Sequence, residues 1–331
     1  MANPVVTTLH TQIEAGTPKY GDLSQMTALV NRSFRRQGLQ WAVSGFTIIT
    51  QPNAAGTVRI QKLPDTWIMA NAWVKGFKIW QKLNREAASE TDSILPKFHD
   101  YKVFMDHAHA EAGTDLNLLP VGTDNNVPFE RGDWDYSKMV IPDNSNPGFS
   151  SEREIICVGK NFPGTGASGL NSVSLIEGYA ASRALPDILD PNTPADAADA
   201  DGLTPENWIQ AVLNEGVNQD AVVLDNLRDE NIQAPYPFEN DGNFTDTMYP
   251  NGANQPPVPS GEGCLELHDL VDIQSGNTVG NRTYMRGGTF QCGLFKIDNN
   301  TDQSLEVLIH LVPGRSKSGR GYLTLPMQDV N

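Results

Sequence analysis

His107-Ala108-His109-Ala110-Glu111, with Asp106 before them, put two imidazoles and two carboxylates within a few residues of one another. That is a donor set able to hold zinc, iron or manganese, and His268 or His310 could supply a later ligand. The spacing argues against it, because Glu111 follows His109 by only two residues and no glycine or proline frames the turn. The expectation is an exposed loop without a resident metal. Gly164-Thr165-Gly166-Ala167-Ser168-Gly169 matches a GxGxxG fingerprint, whose glycines must directly follow a strand and open a helix that meets a pyrophosphate. Lys160 to Pro163 intervene after the strand expected at Ile155 to Val158, so a surface loop is expected instead. Asp190, Asp196, Asp199 and Asp201 offer hard oxygen ligands, but a calcium loop in register would begin at Ala197 and end at Trp208, neither of which can ligate. No GxSxG elbow marks a nucleophile. These sites predict neither an enzyme nor a cofactor.

Two cationic clusters remain. Arg32, Arg35 and Arg36 surround Phe34 near the start, and Arg315, Lys317 and Arg320 stand among glycines and serines near the end. Cations beside an aromatic ring or flexible backbone suit contact with phosphates and stacked bases. The charge around them is uneven. Residues 1–110 hold 12 Lys/Arg against 8 Asp/Glu, residues 111–270 hold 6 against 27, and residues 271–331 hold 6 against 5. A chain with mildly basic ends and a strongly acidic middle can present opposite fields on opposite surfaces.

The elements that must position these residues are mainly strands. Hydrophobic content of 39% with 22 Pro and 29 Gly suits many short strands separated by turns. β-branched and aromatic runs mark eight of them: 45–50, 57–63, 101–106, 134–141, 153–158, 265–273, 289–297 and 304–312. Trp73, Phe77, Trp80 and Leu83 fall at helical spacing within residues 66–85, with Asp65 or Asn71 as the cap. Further helices are expected at 172–183, 204–216 and 219–228. No strand–helix alternation builds a parallel sheet. The predicted fold is mainly β: an eight-stranded antiparallel jelly-roll sandwich with helical and loop insertions. Residues 1–40 would form a weakly basic arm, 41–325 one domain with an acidic insertion at about 165–260, and 326–331 a tail.

Cys157, Cys264 and Cys292 are odd in number, without a CxxC pair, and lie in or near apolar runs, which predicts buried free thiols. No run approaches a membrane span, and Met1 to Val6 has neither the charged nor the apolar region of a signal peptide. A soluble protein made in a reducing compartment is expected.

Several strings resemble the capsid proteins of small circular single-stranded DNA viruses that encode a rolling-circle replication protein. They are Leu63-Pro64-Asp65-Thr66-Trp67 with Asn71-Ala72-Trp73, Glu152-Arg153-Glu154-Ile155-Ile156, and Ser174-Leu175-Ile176-Glu177-Gly178-Tyr179-Ala180-Ala181-Ser182-Arg183. Leu185-Pro186-Asp187-Ile188-Leu189, Met248-Tyr249-Pro250-Asn251-Gly252-Ala253-Asn254 and Leu311-Val312-Pro313-Gly314 extend the likeness across roughly residues 40 to 325. The resemblance implies a jelly-roll subunit that assembles with itself into an icosahedral shell around a circular single-stranded DNA genome, meets a host receptor and needs no membrane. It also implies a location in the virion.

One departure is clear: capsid proteins of this kind begin with a long Arg- and Lys-rich arm, and here the first 31 residues hold only Lys19. Genome contact would fall to Arg32, Arg35, Arg36, Arg315, Lys317 and Arg320. Trp67, Trp73, Phe77 and Trp80 are candidates for subunit contacts, with a core position as the alternative. The acidic insertion is expected outside the shell, because its charge would repel an enclosed genome. Two other readings stay open: a cupin-like metal enzyme using His107, His109 and Glu111, and a carbohydrate-binding β-sandwich with exposed tryptophans.

Overall fold

In the computed structural model, residues 5–91, 93, 100–122, 127–142, 149–182, 208–213, 264–274, 281–314 and 321–330 are described. The strands in chain order are β1 (Thr8–Ile13), β2 (Pro18–Asp22), β3 (Leu39–Ile49), β4 (Gly56–Lys62), β5 (Lys138–Pro142), β6 (Ser150–Ile156), β7 (Ser172–Ser174), β8 (Glu266–Ile273), β9 (Arg282–Phe290), β10 (Leu294–Thr301), β11 (Leu305–Leu311) and β12 (Thr324–Pro326). The helices are α1 (Leu23–Asn31), α2 (Trp67–Glu90), α3 (His107–Ala112), α4 (Leu175–Ala181) and α5 (Trp208–Leu213). The architecture is mainly β, with antiparallel sheets curling into a half-barrel.

Alternation decides which side of each strand is buried. In β11, Leu305, Val307, Ile309 and Leu311 are buried while Glu306, Leu308 and His310 between them are half-buried. This strand joins β1 on one side and β3 on the other. β9 lies against the opposite edge of β3, and β12 extends the β11 side near Trp41. The second sheet runs β2-β10-β4-β8, all antiparallel. Between the sheets, Phe46 meets Phe290 and Phe295 edge-on, with ring centroids 5.7 and 5.8 Å apart.

The chain changes sheet at a corner between β9 and β10. There Cys292 and Gly293 take left-handed backbone angles, φ 56° and 71°, within a single 3-10 turn. A side chain on Gly293 would be strained by its φ and would also meet the Trp41 ring at 2.8 Å. The run 289–297, expected as one strand, is therefore the end of one strand and the start of another.

Between β4 and β8 the chain builds a second core. α2 packs against α4 and shares a core with a small sheet in which β5 and β6 are antiparallel and β6 and β7 parallel. Trp73, Met139, Ile155, Leu175 and Trp208 are buried together there. Thr66 caps α2, its hydroxyl accepting from the Met69 N–H, so neither Asp65 nor Asn71 is the cap.

Strands expected at 45–50, 57–63, 265–273 and 304–312 correspond to β3, β4, β8 and β11. Those expected at 134–141 and 153–158 belong to the small sheet, and residues 101–106 contribute only one bridge, Phe104 to Ile156. The interruption is thus wider than 165–260, running from the end of β4 to the start of β8. Residues 8–31, expected in an arm, supply β1, β2 and α1, and both strands pair within the main sheets. Residues 327–329 of the expected tail form a 3-10 turn with Met327 buried. The helix expected at 172–183 is β7 followed by α4. Trp208–Leu213 is the described part of the one expected at 204–216, and 219–228 lies outside the described residues.

Candidate nucleic-acid interface

The first cationic loop is held at both ends. At the start of α1 the Asp22 carboxylate accepts from the Ser24 and Gln25 N–H groups at 2.8 and 3.3 Å. The helix ends at Arg32, whose left-handed backbone (φ 48°, ψ 48°) turns the chain and returns its N–H to Ala28. Ser24 Oγ then donates to the Arg36 carbonyl at 3.1 Å. Gln37 locks the far end: its Oε1 accepts from Val103 N at 2.7 Å, while its Nε2 donates to Val103 O and to Asp22 Oδ2, both at 3.0 Å. Burial pushes the Asp22 carboxyl up to about 6, against the opposing pull of Gln37, the two N–H groups and the Lys102 charge.

Arg32 and Arg36 are exposed, Arg35 is half-buried, and Phe34 between them is 45% exposed. Arg315, Lys317 and Arg320 lie outside the described residues, but the chain on either side of them is placed. Gly314 N donates to Gly321 O, and the Tyr322 hydroxyl donates to Val6 O while accepting from Asn31 Nδ2 at 2.8 Å. The Arg35 guanidinium sits over the Tyr322 ring, 5.4 Å from its centroid. The base of the second cationic loop therefore stands against the first. Segments from opposite ends of the sequence, the 32–36 loop and Tyr322, meet there.

A cleft of about 390 Å³ opens beside them. Arg32, Phe34 and Arg35 form one wall, and Arg131, Gly132 and Trp134 form part of the other. Lys102 also borders it, 2.5 Å from Asp100 and 4.3 Å from the Trp134 ring centroid. Arg131 is exposed, donates to Thr114 Oγ1 at 2.5 Å and lies 3.8 Å from Asp135. Nothing in the sequence singled it out, because it stands in the acidic middle of the chain between Glu130 and Asp133. A larger cavity of about 580 Å³ carries Glu14, Asp115 and Glu306 against Lys19, a balance unsuited to phosphate.

The metal candidates do not converge. The stretch expected as an exposed loop is the short helix α3, and His109 in it is fully buried. Its Nδ1 accepts the Met105 N–H at 3.2 Å, so Nε2 carries the proton and donates to Asn117 Oδ1 at 2.9 Å. The ring stacks on Tyr20, with centroids 4.2 Å apart. Burial lowers its pKa to about 4, which keeps it neutral. Both ring nitrogens are thus engaged inside the protein, whereas Glu111 is exposed and His107 half-buried. His268 and His310 sit in the main sheets, bonded to Arg286 O and to Thr47. Among the described residues no three His, Cys, Asp or Glu side chains gather to hold a metal. The glycine loop closes through a Thr165–Asn171 bridge and leads into the strand β7, where the fingerprint requires a helix.

Of the aromatic residues considered for subunit contacts, two lie in the core and two at its edge. Trp73 and Phe77 are buried and stacked at 5.1 Å, and Trp67 and Trp80 are partly buried against the same cluster. Helical spacing on α2 brings Trp73, Phe77 and Trp80 together against the Tyr101 ring, and Trp67 against Tyr179 of α4. None of the six tryptophans is exposed. The three cysteines are free and buried, as their apolar surroundings predicted. No described helix is long and apolar enough to cross a membrane. Comparison with protein-family models, curated proteins and solved structures gives no match.

Proposed function

We propose that this chain is a viral capsid protein: a jelly-roll subunit that assembles with itself into an icosahedral shell around a circular single-stranded DNA genome. The observation that carries the reading is the order of the strands. Counting only the eight strands of the two main sheets, without the short β12, the sheets run 1-8-3-6 and 2-7-4-5. First pairs with last, second with seventh, third with sixth and fourth with fifth, all antiparallel. A long two-stranded ribbon wrapped around a core gives that order, and viral coat proteins are among the proteins built this way.

Lectins and cupins share such wrapping, so the site must separate the readings. A cupin-like enzyme would need His109 as a ligand, and both its ring nitrogens are occupied. A carbohydrate-binding sandwich would display tryptophans, and here four of the six are buried and Trp67 and Trp80 are half-buried. The gathering of Arg32, Arg35 and Arg131 around one cleft favours a polyanionic partner. In a shell, subunit contacts bury self-complementary surface and symmetry closes the assembly. The cationic surface faces the genome, and the acidic insertion at about 165–260 faces outward, toward other subunits and the host receptor. The virion is then where the protein works.

Size-exclusion chromatography with negative-stain microscopy of the purified chain tests this. Uniform closed particles are expected. A protein that stays monomeric across salt and pH overturns it.

A further inference from the structure

We infer that the cleft between the 32–35 loop and the 131–134 loop is a nucleotide subsite for single-stranded nucleic acid, with a base stacked on Phe34 and its phosphates held by Arg32, Arg35 and Arg131. The inference rests on the proposed genome-enclosing role and gives it a definite place on the chain. About 390 Å³ lies at the low end of the range of small-ligand clefts, roughly 300–1,000 Å³, and suits one base with its phosphate. A large aromatic ring exposed by 45% beside arginines is the arrangement by which single strands are bound without sequence preference. Arg35 Nε is buried and has no hydrogen-bond partner among the described residues, so it presents a donor that a phosphate oxygen would satisfy. Charge points the same way. Lys102 neutralises Asp100 at 2.5 Å and Asp135 lies 3.8 Å from Arg131, which leaves Arg32 and Arg35 against Asp133 in the lining.

The anchoring described above fixes this geometry before any ligand arrives. Gln37 and Ser24 hold the Arg32–Arg36 loop, and Thr114 holds Arg131. Little ordering is then needed on binding. Residues from the start of the chain and from the acidic middle meet there.

Fluorescence anisotropy of the whole protein with labelled oligothymidine, over a salt series, tests the subsite. Phe34→Ala should weaken binding about 5- to 100-fold while the salt dependence stays unchanged, and Phe34→Tyr should restore it. Arg131→Ala should weaken binding and lower the slope of log affinity on log salt by about 0.7. Arg282→Ala, an exposed cation at the far end of β3 from Trp41, should leave the oligothymidine affinity close to that of the wild type. Affinity unchanged in Phe34→Ala and Arg131→Ala, or reduced equally by Arg282→Ala, overturns the subsite. So does a wild type that binds heparin or duplex DNA as tightly as the single strand. Shells that form without oligothymidine binding count against the subsite and not against the coat role; oligothymidine binding by a permanent monomer does the reverse.

Discussion

Asp22 supports both the start of α1 and, through Gln37, the base of the cationic loop, so its ionisation should be readable in stability. Burial raises the carboxyl from 3.8 to about 6 in the folded protein. The native state therefore binds the proton more tightly than the unfolded chain, and the sign follows from linkage. The stabilisation from this proton is fully present below pH 3.8 and is lost as the pH rises through about 6. At roughly 1.4 kcal/mol per pH unit, the whole effect is about 3 kcal/mol, of which about 2 to 3 falls between about pH 7.5 and about pH 4.

Asp22→Asn isolates it, because asparagine caps a helix as well as aspartate and does not titrate. Its amide would face the Gln37 amide, a mismatch that adds a constant offset. Urea unfolding of both proteins, followed by tryptophan fluorescence across that range, gives the difference in unfolding free energy at each pH. Wild type should gain about 2 to 3 kcal/mol relative to Asp22→Asn as the pH falls. A flat difference, or one that grows with rising pH, would refute the reasoning.

Other perturbations separate packing from chemistry. A Cβ on Gly38 would lie 2.2 Å from the Trp73 ring, which is wedged against Phe77 and Tyr101, so Gly38→Ala should cost about 1–3 kcal/mol in urea unfolding. His109→Ala removes a stacked ring and strands the Met105 N–H and Asn117, and should cost about 2–4 kcal/mol. His107→Ala should cost under about 1 and leave metal content unchanged by elemental analysis; the reverse ranking would revive a metal site. With dithionitrobenzoate the native protein should show almost no reactive thiol and the denatured protein three, because all the cysteines are buried and free.

What was legible in the sequence followed local pattern. β11 announced itself through strict alternation, α2 through aromatic spacing, and the thiols through their apolar neighbours. β1 and β2 did not, because Thr-Leu-His-Thr-Gln-Ile and Pro-Lys-Tyr-Gly-Asp carry few apolar residues and become strands only by pairing with β11 and β10, nearly 300 residues away. Propensity cannot register such partners. The β9–β10 corner was hidden for a related reason, since a continuous β-like run contains a left-handed Cys-Gly step. At the site, Arg32, Arg35 and Arg36 were readable as a cluster, but Arg131 was not. Its membership depends on a cleft formed by the interruption folding back onto α1, and its acidic neighbours concealed it. His109 illustrates a different gap: the stretch expected as an exposed loop carries a buried imidazole whose two nitrogens are bonded to Met105 and Asn117.

Mass photometry of the purified full chain under assembly conditions tests the central claim most directly. The account predicts one narrow population in the megadalton range, a closed shell of many 36.2 kDa subunits. A single species at the mass of one chain, unchanged by salt, pH or added single-stranded DNA, would contradict it.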